Sequence, residues 1–258
     1  MKKKIIGYSI TCLVALIIFI IFVILIKNSG GAPLEIDANI RDFFYNIRGE
    51  RDGVLYHLFR ILTELGGFTF ILISTLLVII LTKLDNRAIS YVLGAVIVFI
   101  FYYVLKDIFQ RERPYIDFRW GKERDSSFPS GHSAAIAFLT LFVFYMVNDM
   151  KLKKAIKIAI YVVLALLGII VPISRMLLGM HYFTDVIAGF MQGLIIASLV
   201  VLFNLFMKHY GIFEKPIFVA IYEYFKNRKK ENIDFLEDKE ATNKINDNKS
   251  INKNEDIE

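Results

Sequence analysis

The stretch "FPSGHSAAIAFLTLFVFYMV", residues 128–147, decides the fold. It opens as a polar turn of Pro, Ser, Gly and His and then becomes an apolar run from Ser133 to Val147 without a charge. Apolar and polar positions do not alternate in it, so it reads as a helix rather than a barrel strand. A helix needs about 20 residues, with roughly 17–25 tolerated, to cross the hydrocarbon of a bilayer. The run is short by that measure and must borrow neighbouring residues at one end.

Working outward, five further apolar blocks share its character: Ile5 to Ile26, Gly66 to Thr82, Ile89 to Leu105, Ala155 to Ile173 and Val186 to Met207. Of the 258 residues, 56% are hydrophobic, above the roughly 45–50% usual for soluble domains. The excess lies in blocks, which points to an all-α integral membrane bundle of six transmembrane helices. The first block follows a charged "MKKK" start, as a signal peptide would. Its apolar run exceeds the roughly 7–15 residues of a signal core and no clear A-x-A site follows, so it reads as an uncleaved span. The single cysteine, Cys12, lies inside that block, which excludes an internal disulfide and a Cys-based metal site.

The net charge of +6 is spent on topology rather than nucleic acid. "MKKK", "TKLDNRA" (82–88) and "NDMKLKK" (148–154) are short, basic and alternate onto one side, and a Lys-rich C-terminal segment joins them. The positive-inside rule puts that side, with both termini, in the cytoplasm and leaves segments 28–65, 106–132 and 174–185 outside. Segment 106–132 departs from the rule. It holds Lys106, Arg111, Arg113, Arg119, Lys122 and Arg124, largely balanced by acidic residues, and the cations there call for a bound anion. Within 28–65, Ile36, Ile40, Phe43, Phe44 and Ile47, then Leu55, Leu58, Phe59 and Leu62, recur at helical spacing. They suggest short outer interfacial helices, serving as a connector or as a guide for a lipid. The chain thus divides into a six-span membrane domain over 1–210 and a charged, largely disordered cytoplasmic tail over 211–258. His57 and His209 read as interfacial or packing residues.

Three polar clusters fall at span ends on the outer side: "KDIFQRERP" (106–114), "PSGH" (129–132) and "SRMLLGMHYFTD" (174–185). Ionisable groups beside spans are costly unless paired or functional. His181 and Asp185 are four apart and share a helix face if the last span starts near them. A carboxylate on one imidazole nitrogen fixes the tautomer and leaves the other nitrogen as a nucleophile or base. Arg113 and Arg175 offer planar forks for phosphate oxygens and Lys106 a mobile point charge. The backbone N–H groups of Ser130 and Gly131 point at an oxyanion at the start of the fourth span, with His132 beside it as a general acid. Taken singly, each has a plainer reading: a packing histidine, a headgroup-anchoring arginine, a Ser-Gly helix cap.

Together the clusters fit K-x6-R-P, P-S-G-H and S-R-x5-H-x3-D, in that order. In this the sequence resembles the type 2 phosphatidic acid phosphatase superfamily, which also includes vanadium haloperoxidases. The resemblance implies that His181 takes the phosphoryl group as a phosphohistidine and Asp185 orients and charge-stabilises it. His132 would protonate the leaving oxygen and then activate water. Lys106, Arg113, Arg175, Ser130 and Gly131 would hold the phosphate, with Ser174 in support. It implies no metal and no cofactor. The small chain and its Lys/Asn/Ile-rich composition look like a bacterial plasma-membrane member with an extracytoplasmic active site. Its substrate would be a lipid phosphate or diphosphate of the outer leaflet: undecaprenyl diphosphate first, then phosphatidylglycerophosphate or phosphatidic acid. A lipid phosphotransferase built on the same phosphohistidine is a second reading. A non-catalytic anion-binding membrane protein is a third, against which two imidazoles weigh.

Overall fold

The computed structural model describes residues 1–48, 53–114, 125–210, 219 and 223–228. Among these, eight α-helices follow one another: α1 (Lys2–Asn28), α2 (Glu35–Arg48), α3 (Val54–Thr63), α4 (Phe68–Thr82), α5 (Asn86–Phe109), α6 (Gly131–Asp149), α7 (Lys154–Leu177) and α8 (Phe183–His209). A 3-10 turn, Glu64–Gly66, joins α3 to α4. The described residues contain no strand. Of the tail expected over 211–258, residues 223–228 are helical and most of the rest lies outside the described residues.

Local chemistry sets the ends of these helices. The opening stretch borrows Gly131 and His132 at its N-terminus, where Ser130 is extended and its hydroxyl accepts from the Ser133 N–H at 3.5 Å. Asp85 caps α5 by accepting from the Arg87 N–H at 2.8 Å. Left-handed Lys83 and Gln110 close α4 and α5.

Five helices, α1, α5, α6, α7 and α8, are long and apolar enough to cross a membrane. The second span expected at Gly66 to Thr82 differs. Helix α4 has 15 residues, about 22 Å at 1.5 Å per residue, short of the hydrocarbon thickness. The sixth crossing is completed only if α3 is counted with it, across a 44° bend. Gly66 and Gly67 occupy the bend for a packing reason: a Cβ on Gly66 would lie 2.5 Å from Val171 and 3.3 Å from His132. Segment 28–65 does form two short helices, α2 and α3, with exposed apolar side chains at Ile36, Phe43, Ile47, Leu58 and Ile61.

Helices α6 and α8 are the centre of the bundle. Gly189 and Gly193 on α8 let the backbones meet: a Cβ at Gly189 would stand 2.2 Å from the Ser130 carbonyl oxygen, and one at Gly193 2.1 Å from that of Ala134. Small residues four apart are the usual means of close approach in lipid, where burial of apolar surface supplies no drive between helices. Around this seam Tyr91, Val98, Phe138, Phe142, Ala197 and Val201 pack from α5, α6 and α8. Tyr145 donates to Asn204 Oδ1 at 2.6 Å, and the Asn204 amide donates to Ser90 at 3.1 Å, tying three helices by polar bonds. At one end Asp149 pairs with Lys4 and, at 4.0 Å, with Lys208, so the start of α1 and the ends of α6 and α8 lie together. The opposite end gathers the end of α5, the start of α6, the end of α7 and the start of α8.

Gly193→Ala forces the α6 and α8 backbones apart. Over-packing of this kind costs about 1–3 kcal/mol, and the backbone contact puts this site at the upper end. The variant should melt below the parent in detergent, whereas Gly7→Ala, where a Cβ would meet nothing within 4 Å, should not.

Candidate active site

Burying charge at the end of a membrane bundle requires partners, and Lys106, Arg111, Arg113, Arg175 and Asp185 have them. His181 lies in the short loop between α7 and α8, buried, with its Nδ1 2.8 Å from the carbonyl oxygen of Ser127. Against a carbonyl Nδ1 carries the proton, so Nε2 keeps a lone pair. Arg113 Nη1 donates toward that Nε2 at 3.3 Å and also to the Met180 carbonyl at 2.8 Å. Burial holds the His181 imidazole well below its ordinary range, and the charges of Arg113, Arg175 and Lys106 push the same way against the Ser127 bond.

The sequence reading gave Asp185 the task of holding His181. Its Oδ2 is 3.8 Å from Nδ1, beyond a hydrogen bond. The ring is held instead by a backbone carbonyl, and Asp185 reaches it through Ser127, whose hydroxyl donates to Oδ2. The Tyr182 N–H donates to the same oxygen at 2.9 Å, and Arg111 Nη1 donates to Oδ1 at 2.5 Å.

The phosphate-binding candidates divide. Lys106, Arg113, Arg175 and His132 share one electrostatic neighbourhood with His181. Lys106 at the end of α5 donates to Asp125 Oδ2 at 2.5 Å and to the Ser126 carbonyl, and stands 4.6 Å over the Tyr102 ring. Arg113 Nη2 donates to Asp125 Oδ1 at 2.7 Å. The two cations therefore share the Asp125 carboxylate, which they keep well below the usual carboxylate range although its partial burial works the other way. Arg175 Nη1 donates to Thr63 at 3.0 Å from the α3 side. The Gly67 backbone closes over His132: a Cβ there would sit 3.7 Å from Nε2.

Two expected contacts differ. The Ser130 N–H donates to the Asp185 carbonyl at 3.0 Å, so it docks α6 onto α8 rather than facing an anion. The first-turn N–H groups that remain for that purpose are those of Gly131 and His132, which have no intrahelical acceptor. Ser174 donates to the Val171 carbonyl at 2.6 Å within α7, so its hydroxyl serves the helix. Of the six cations in 106–132, Arg119, Lys122 and Arg124 lie outside the described residues. Arg111, read only as one of that group, is buried among Asp185, Asp37, Thr184 and the Gly31 carbonyl. Asp37, Thr63, Asp125 and Ser127 were missed. Only Asp125 had a signal, as an acidic residue among the cations. Among the described residues no group of three or more His, Cys, Asp or Glu side chains is arranged to hold a metal ion.

Comparison with known proteins meets this geometry from the other side. Residues 87–207 match the PAP2 superfamily. Phosphatidylglycerophosphatase B of Bacillus subtilis (strain 168) is 36% identical over 99 residues, which are 38% of this chain and 48% of that protein. The match thus spans about half the length of that relative. Among solved structures, a transmembrane PAP2-type phosphatidylglycerolphosphate phosphatase from Bacillus subtilis superposes with a TM-score of 0.64 at 24% identity, covering 76% of this chain and 96% of that one. LpxE of Aquifex aeolicus gives 0.51 at 21% identity, covering 62% and 93%. The architecture is that of the transmembrane PAP2 fold.

The depressed imidazole is directly measurable. By 15N NMR of histidine-labelled protein, His181 should stay neutral and Nδ1-protonated at pH 6.5, where an ordinary histidine is half charged, and should charge only at lower pH. A signal half-protonated at that pH contradicts the geometry.

Proposed function

We propose that the chain, whose residues 87–207 match the PAP2 superfamily, is a multi-pass membrane lipid phosphatase. It removes the terminal phosphate from a lipid phosphate or diphosphate through a phosphohistidine. The observation that carries this reading is the Nδ1–H of His181 spent on the Ser127 carbonyl, with Nε2 kept as a lone pair among cations.

The Nε2 lone pair attacks phosphorus, the P–O bond to the lipid breaks, and His132 gives its proton to the leaving oxygen. His132 then takes a proton from water, whose oxygen displaces His181, and inorganic phosphate departs. Charge building on the phosphoryl oxygens meets Lys106, Arg113 and Arg175 and the first-turn amides of α6, a preorganised set that needs no metal to do this work. Asp185 acts through Ser127 to keep the ring aimed. Sidedness follows from charge. The reacting end lies opposite the Lys4–Asp149–Lys208 end, and the positive-inside rule assigns the Lys-rich end to the cytoplasm. The relative's name puts phosphatidylglycerophosphate beside undecaprenyl diphosphate and phosphatidic acid among the lipids to test.

In the free chain Asp125 occupies the two cations that an incoming phosphate would take, so substrate binding displaces it.

Purified protein in detergent with chelator should release phosphate from at least one of the three lipids. His181→Ala should lower that rate by on the order of 10⁶-fold. Release unaffected by the substitution rejects the phosphohistidine, and label transferred to an acceptor in place of release identifies a phosphotransferase. Asp125→Asn removes the competing carboxylate. Partly exposed pairs are worth about 0.2–1 kcal/mol, so inorganic phosphate should inhibit roughly 1.4- to fivefold more tightly. Unchanged or weaker inhibition means that Asp125 does not compete for that position.

A further inference from the structure

Asp37 lies on α2, outside the matched residues 87–207, and is fully buried. Its carboxylate accepts four hydrogen bonds. The Leu34 N–H, at 3.1 Å, is the local one, a helix cap at the third position of α2. The other three cross the molecule: Thr184 N–H and hydroxyl, both at 2.9 Å, and Arg111 Nη2 at 2.7 Å. A cap alone needs one bond and tolerates solvent. This carboxylate is fully buried and most of its bonding is spent on the first turn of α8 and on Arg111.

Arg111 is what makes that spending matter. Its guanidinium lies between two buried carboxylates, Asp37 and Asp185, and 4.5 Å over the Tyr182 ring. Nε donates to the Gly31 carbonyl at 3.1 Å, and Nη1 also donates to Thr184 at 2.8 Å. The Arg111 carbonyl accepts the Ser127 N–H at 2.7 Å. Its side chain therefore fixes Asp185, and its backbone fixes the residue whose carbonyl holds His181.

We propose that Asp37 is a positioning residue for the phosphatase reaction, the far anchor of a buried chain Asp37–Arg111–Asp185–Ser127 that sets the tautomer and aim of His181. This rests on the functional reading above. Asp37 touches neither substrate nor the reacting nitrogen. It clamps the guanidinium from the side opposite Asp185, so that the fork cannot rotate away and let Asp185 and Ser127 drift. The N-terminal helices thereby supply part of the active site.

The test is Asp37→Asn, which keeps the volume and one acceptor oxygen, in full-length protein, with the folded fraction measured by size exclusion and melting. Misplacement of a reacting group by about 1 Å costs on the order of 10²-fold in rate. The folded variant should lose tenfold or more in kcat at a KM within about twofold of the parent. By 15N NMR, His181 should change from the single Nδ1–H tautomer to a mixture. A merely structural role would lower the melting point and leave kcat per folded molecule and the tautomer at parental values, and that result overturns the proposal. Thr184→Val, which removes the hydroxyl that donates to Asp37 and accepts from Arg111 while leaving the ion pair, covers the case in which Asp37→Asn does not fold; parental kcat and tautomer in it likewise overturn the proposal. The NMR arm separates this inference from the reading beneath it. If the parent releases no phosphate from any lipid, the phosphatase assignment fails, while the tautomer still decides whether Asp37 positions His181.

Discussion

One guanidinium buried between two carboxylates organises the end of the bundle that holds His181. Burying such charges is costly in a low dielectric, and the cost is met only when every donor finds an acceptor in good geometry. Arg111 meets that condition with Asp37 from α2, Asp185 and Thr184 from α8 and the carbonyl of Gly31 beyond α1. Three parts of the chain are thus pinned to one planar group. Its rigid fork is suited to this as an ammonium would not be. Ser127 is bonded both to the Arg111 carbonyl and to Asp185, and its own carbonyl bonds the His181 ring.

A second constraint comes from the lipid-facing nature of the bundle. Apolar side chains cannot drive helices together when the surrounding solvent is itself apolar. Association depends on shape and on polar bonds, and α6 and α8 use both: glycines at 189 and 193 on one side of the seam, and the Tyr145–Asn204–Ser90 bonds on the other. The Pro-Ser-Gly-His turn at the head of α6 is then docked by a backbone bond from Ser130 to the Asp185 carbonyl. Fold and site meet in that bond, since displacing α6 displaces the carboxylate's own residue.

How much of this was legible depended on whether a contact is local. Spans were readable from hydrophobic blocks because composition alone decides membrane residence, and K-x6-R-P, P-S-G-H and S-R-x5-H-x3-D were readable because residue type at short spacing carries the chemistry. The second span is helical from Phe68 to Thr82, close to the expected block; its continuation into α3 across the glycine pair, where a Cβ on Gly66 would meet Val171 and His132, had no local signal. Asp37 reads locally as an acidic residue in the first turn of a helix, and its decisive partners are 74 and 147 positions away. Ser127 is invisible for another reason: it holds His181 through a main-chain carbonyl that any residue possesses. Ser130 was given an anion because a Ser-Gly turn before a helix offers N–H groups; the close approach of α8 claimed that donor first.

The seam between α6 and α8 also decides how the molecule can yield mechanically. With backbones in contact at two glycines and a main-chain bond from Ser130 to Asp185, α6 and α8 have little room to shift against each other. The α3–α4 side is built differently, from a 15-residue helix, a bend of 44° and two glycines lying directly over His132. Compliance is therefore unevenly distributed around the site. A bulky amphiphile that needs room beside His132 meets an unyielding wall on one flank and a jointed one on the other.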